Sequence, residues 1–148
     1  MKPVTDRISA YDAAPGAIGA MMSVEAYIDD CGLEATLVEL VKMRASQING
    51  CAFCLDMHSK DARANGETEQ RLYLLSAWGE SSLFSPRERA ALAWTESLTS
   101  IADNHAPDRL FEDLRQHFSD EEITNLTLLV CQINSWNRFA VGFRYRHP

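Results

Sequence analysis

Glu39-Leu-Val-Lys-Met-Arg-Ala-Ser-Gln-Ile-Asn-Gly50-Cys51-Ala-Phe-Cys54-Leu-Asp-Met-His58 is the stretch that decides how this chain reads. Its first half carries Leu40, Val41 and Ala45. With Leu37 and Val38 just upstream, their spacing predicts a helix over about Glu34 to Ile48. Asn49-Gly50 is a strong turn signal. A second helix is expected from about Ala52 to Ala64, closed by Asn65-Gly66. The stretch therefore predicts a helical hairpin whose turn leads directly into two cysteines.

Similar signals extend in both directions. Upstream, Pro15-Gly16 opens a run in which Ile18, Met21, Met22, Ala26 and Ile28 lean to one face, and Gly32 stands where that helix would stop. Downstream, a helix is expected over about Thr68 to Trp78, stopping at Gly79. Ser85, Pro86 and Glu88 form a capping box with proline at the first helical position, opening a helix to about Thr99. Asp103 to Ala106 reads as a loop, and Pro107 begins a short helix to about His117. Ser119 with Glu122 forms a second capping box. The last helix, from Asp120 toward Phe143, carries Ile123, Leu126, Leu129, Val130 and Ile133. Residues 1–14 read as an irregular N-terminal arm. Residues 15–148 read as one all-α domain, a bundle of about seven helices joined by short loops.

Composition agrees with this reading. The chain has 148 residues, of which 46% are hydrophobic and 24% charged. A chain of this size buries about two-thirds of its surface on folding, enough for one core. Ala and Leu supply 33 residues, Val and Ile only 13, which disfavours a sandwich or barrel. The net charge of −7 argues against a nucleic-acid partner, which requires a basic face. No apolar run approaches the ~20 residues of a membrane span. The opening residues Met1 to Arg7 lack the apolar stretch of a signal peptide. A cytoplasmic protein without membrane association is expected. Four cysteines are too few for a disulfide scaffold.

The chemistry concentrates in the hairpin. Cys51 and Cys54 form a CxxC at a helix start, where amide dipoles favour a thiolate. The pair can close a disulfide or supply half of a zinc site. His58 follows Cys54 by four residues, so the two share a helix face about 6 Å apart along the axis. It lies about 10 Å along the axis from Cys51. The imidazole thus favours Cys54 as the reactive thiol, and the helix terminus favours Cys51. Counting outward from the turn places Glu39 within about 3 Å of His58 in height, where it can orient or charge the ring. Nucleophile, base and orienter then converge. Asp61 is a possible second partner to the imidazole. A zinc site built from Cys51, Cys54, His58 and Glu39 is the competing reading, weakened by the lack of a second CxxC or a second nearby histidine.

Other residues read as structural. Cys31 and Cys131 are expected in the core, and Trp78, Trp94 and Trp136 in the core or an interface. His105, His117 and His147 are given no role. Asn134, Asn137 and Arg138 interrupt an apolar helix, as a solvated stripe or as a polar contact at an interface or near the site.

Glu39, Cys51-Ala-Phe-Cys54 and His58, followed by Lys60-Asp61-Ala62, resemble the alkylhydroperoxidase D and carboxymuconolactone decarboxylase-like superfamily. Arg44 to Gly50 and Ile133 to Arg138 share the likeness, which spans roughly residues 15–140. The resemblance implies an all-α fold that assembles as a trimer or hexamer, and a thiol-dependent peroxidase without cofactor or metal. Cys54 would attack a hydroperoxide, and Cys51 would condense with the resulting sulfenic acid. Glu39 and His58 would relay protons through water. A thiol reductant, or a lipoyl-bearing protein, would restore the pair. The CxxC places the chain in the peroxidase-like branch. A disulfide reductase or a redox-sensing scaffold of the same family is the alternative. Phe53 departs from the pattern, because the best-characterised members carry a second histidine there. That implies a shorter proton relay.

Overall fold

A computed structural model describes residues 5–148. Among these residues every regular element is a helix. The elements are α1 (Ala10–Ala13), α2 (Pro15–Asp30), α3 (Ala35–Asn49), α4 (Ala52–Ala64), α5 (Glu69–Leu74), a 3₁₀ segment (Leu75–Glu80), α6 (Pro86–Thr99), α7 (Ile101–Asn104), α8 (Asp108–Arg115) and α9 (Asp120–Phe143). The expected bundle is present, with two additions. A single helical turn, α1, interrupts the arm expected over residues 1–14, of which 1–4 lie outside the described residues. Another single turn, α7, overlaps the loop expected at Asp103 to Ala106. The helix expected over Thr68 to Trp78 changes at Leu75 into the 3₁₀ segment, where Ala77 leaves helical geometry.

Helix boundaries follow their capping chemistry. Ser85 and Ser119 each accept from the backbone N–H three residues on. Glu88 and Glu122 return the bond to the cap backbone. Gly50 ends α3 with φ of 66°, a left-handed geometry that disfavours any side chain.

Helix α3 lies at the centre, packed against α4, α6 and α9. Leu37 through Met43 are all buried, as expected of a helix enclosed on several sides. One side chain set (Leu37, Val38, Val41) joins Trp94 of α6 and Leu126, Leu129 and Val130 of α9 in the larger core cluster. Leu40 and Met43 join Ala62, Leu72, Leu75, Phe84 and Leu92 in a second. A third, smaller cluster contains Cys51, Cys54 and Ala140, with Phe53 and Tyr145 packed against it.

The polar residues of α3 are buried as well, and each meets a different neighbour. Glu39 faces His58 of α4, and Lys42 Nζ lies 3.4 Å from Glu25 Oε2 of α2. Ser46 accepts a 2.9 Å bond from Asn137 of α9. Buried polar groups need such partners, and these bonds fix the faces that α2, α4 and α9 present to α3.

Cys31 and Cys131 are not core residues. Cys31 is half-buried at the C-cap of α2, and Cys131 is exposed on this chain. On α9 the inward stripe runs through Leu126, Leu129, Val130, Ile133, Asn137 and Ala140, and residue 131 projects away from it. Trp94 is buried and donates to Thr127. Trp78 and Trp136 are half-buried and donate to Glu96 and Glu25.

Candidate active site

Cys51 is the N-cap of α4, and its sulfur accepts a 3.3 Å bond from the N–H of Cys54. The two cysteines form a disulfide, with Cα atoms 5.4 Å apart. Both are nearly inaccessible, 1% and 2% exposed. The turn that delivers them is held from α9. Asn49 donates to both Asn134 and Asn137 at 2.9 Å, and Asn137 in turn donates to Ser46. The asparagines that interrupt the last helix therefore form a polar clamp within the chain. Arg138 is exposed and folds back onto Asn134. A cleft of about 390 Å³ opens beside this clamp, lined by Asn49, Asn137, Arg138, Val141 and Gly142.

Glu39 and His58 meet across the α3–α4 hairpin. Nδ1 of His58 lies 3.1 Å from Oε2 of Glu39, with the residues 7% and 9% exposed. With Glu39 ionised, Nδ1 carries the ring proton and donates it, which leaves a lone pair on Nε2. Asp61 lies farther off, its Oδ2 4.0 Å from Nδ1, and it is exposed. Glu39, His58 and Asp61 offer ligand atoms all within 4.8 Å of one another. That set lacks the two thiols on which the competing zinc reading relied, and these are bonded to each other.

The four residues singled out in the sequence thus lie on one hairpin. Cys54 and His58 are both buried on α4, one turn apart, and Glu39 supports the ring from α3. A dithiol–disulfide pair beside an oriented imidazole can perform thiol oxidation, disulfide exchange and proton transfer. His105 and His147 are exposed and His117 half-buried, all remote in sequence from this hairpin.

Two contributors were not legible in the sequence. Asn49 reads there only as a turn residue, and its side-chain bonds to α9 have no local signature. Tyr145 follows the last helix and reaches the cysteine cluster by a turn at Arg144, which is not a glycine.

The model of the Carboxymuconolactone decarboxylase family matches residues 13–97, which include Glu39, both cysteines of the pair and His58. The chain belongs to this family. Among proteins of similar sequence is the uncharacterized protein YdfG of Bacillus subtilis, 45% identical over 143 residues and 97% of each chain. A crystal structure of a protein of unknown function from Agrobacterium tumefaciens, proposed to be the antioxidant defence protein AhpD, superposes with a TM-score of 0.95. It is 50% identical, covering 97% of this chain and 99% of that one. The debrominase Bmp8 in its apo form is similar in fold alone, with a TM-score of 0.83 at 19% identity over 93% of this chain and 74% of that one. The fold of this carboxymuconolactone decarboxylase family member is therefore the alkylhydroperoxidase D-like one. The clamp on α9 and Tyr145 both lie beyond the matched segment.

Proposed function

We propose that the chain is a thiol-dependent peroxidase that reduces a hydroperoxide through Cys54 and Cys51. The observation that carries this reading is the disulfide at the start of α4, placed one turn from a histidine that Glu39 orients. In the reduced state, His58 Nε2 accepts the Cys54 proton. The thiolate attacks the distal oxygen of the hydroperoxide and breaks the O–O bond. The sulfur becomes a sulfenic acid, and the leaving alkoxide takes the proton from His58 and departs as an alcohol. The Cys51 thiol then condenses with the sulfenic acid, forming the disulfide and releasing water. A dithiol reductant, of free or lipoyl type, returns two electrons and two protons and leaves as its own disulfide.

Assembly as a trimer or hexamer belongs to the same reading. The outward apolar side chains Met22 and Tyr27 of α2 support it, being half-exposed on the single chain. Peroxide consumption driven by a dithiol tests the activity. The wild-type chain should turn over, and Cys54→Ser should lose turnover while keeping its helical content. Full activity in that variant would contradict the proposal.

A further inference from the structure

Tyr145 stands one residue beyond the C-cap of α9. Arg144 adopts φ 58° and ψ 48°, a left-handed backbone that is unfavourable for a residue with a side chain. Its N–H bonds Val141 O at 3.3 Å, and the N–H of Tyr145 bonds Ala140 O at 2.9 Å. This paired bonding reverses the chain direction at the helix end. The N-terminal segment fastens the hook. Arg7 donates its backbone N–H to Phe143 O and its guanidinium to Gly142 O, and Arg146 pairs with Asp6 at 3.4 Å.

The hook seats the Tyr145 ring against the cluster of Cys51, Cys54 and Ala140. The ring meets Phe53 edge-on, with centroids 5.7 Å apart. Its hydroxyl is buried and has no hydrogen-bond partner among the described residues. Buried hydroxyls are normally bonded, and a phenylalanine would supply the same packing without that cost. Packing alone therefore does not account for the hydroxyl while the disulfide is closed.

Reduction creates an acceptor. A dithiol that opens the bond delivers two electrons and two protons, and loss of one proton leaves a thiolate. Cys51 Sγ already has a donor in the N–H of Cys54. Cys54 Sγ has none among the described residues. Phe53 carries no polar side-chain atom, and His58 Nε2 becomes a donor to the sulfur only after it has taken the Cys54 proton. Resting on the peroxidase reading for the choice of sulfur, we propose that the Tyr145 hydroxyl is a second hydrogen-bond donor to the Cys54 thiolate in the reduced chain, beside the protonated His58. Charge-assisted bonds of this type are stronger than neutral ones.

The ionisable groups gathered around the pair are His58 on α4, Glu39 on α3 and Tyr145 after α9. The test is a thiolate titration by ultraviolet absorbance on the reduced full-length chain, comparing wild type with Tyr145→Phe. Cys51→Ser is added in both backgrounds to assign the signal to Cys54. Removing the donor should raise the thiolate midpoint by about one pH unit. It should leave the melting temperature of the oxidised protein unchanged or higher. An unshifted midpoint overturns the proposal, and so does a shift that vanishes in the Cys51→Ser background. An oxidised Tyr145→Phe protein that melts lower also overturns it, because the hydroxyl would then be bonded in the disulfide form. No step of this titration uses a hydroperoxide. A chain that titrates as expected but consumes no peroxide would therefore contradict the peroxidase reading and leave the donor role of Tyr145 standing.

Discussion

His58 Nδ1 and Glu39 Oε2 stand 3.1 Å apart across the α3–α4 hairpin, and both residues are buried. The contact ties the tautomer of the ring to the charge of the carboxylate. An ionised Glu39 holds the tautomer that leaves Nε2 as the base, and its charge stabilises the imidazolium formed when Nε2 takes a proton.

Glu39→Gln keeps the shape and an acceptor oxygen but removes the charge. Peroxide turnover should fall by about 100-fold, with the helical content unchanged. Steady-state rates measured with saturating dithiol check this. Asp61→Asn is the companion variant, and its effect should be much smaller because Asp61 is exposed and 4.0 Å from the ring. Equal losses in the two variants would assign the orienting role to the wrong carboxylate.

The clamp on the Asn49-Gly50 turn makes a separate prediction. Asn137 is 1% exposed, accepts from Asn49 and donates to Ser46. Asn137→Leu removes one partner from each and leaves both partly unsatisfied. The cost should be about 1–3 kcal/mol of unfolding free energy, read from chemical denaturation. An unchanged denaturation midpoint would mean that the turn does not depend on α9.

Acid should weaken the junctions between helices. Hydrogen bonding from Arg87, and then from the Ser119 backbone, holds the Glu122 carboxyl below the usual glutamate range. Burial pushes Glu88 upward, but bonds from Arg71 and the Ser85 backbone outweigh it, and its net shift is also downward. A carboxyl whose folded pKa is lowered contributes stability that is fully present above its unfolded value, about 4.3. That contribution is lost as pH falls through the lower folded value. Melting temperature should therefore drop steeply below about pH 4.3 in the wild type and less steeply in a Glu88→Gln, Glu122→Gln double variant. Parallel curves would contradict this account.

Much of this arrangement is legible in the sequence because its signals are local. The capping boxes at Ser85 and Ser119, the Asn49-Gly50 turn and the apolar period each depend on residues within one helical turn. The approach of Glu39 to His58 follows from them, because similar counts outward from a tight turn put residues of the two helices within about 3 Å in height. What escaped depends on long-range partners or on weak elements. The single turns α1 and α7 are too short to show a period. The exposure of Cys131 depends on which face of α9 turns inward. The pairing of Asn49 with Asn134 and Asn137 spans more than eighty positions. Tyr145 is hidden for a different reason, since left-handed turns are usually flagged by glycine and this one is made by arginine.

The central claim is that Cys54 is the sulfur that attacks the peroxide, and trapping its first product tests this most directly. The reduced Cys51→Ser chain would be treated with one equivalent of a hydroperoxide in the presence of dimedone, which captures sulfenic acids. Peptide mass spectrometry would then locate the adduct. The account predicts a single dimedone adduct on Cys54 and strong loss of that adduct when Glu39→Gln is added. An unmodified Cys54, or an adduct confined to Cys31 or Cys131, would contradict it.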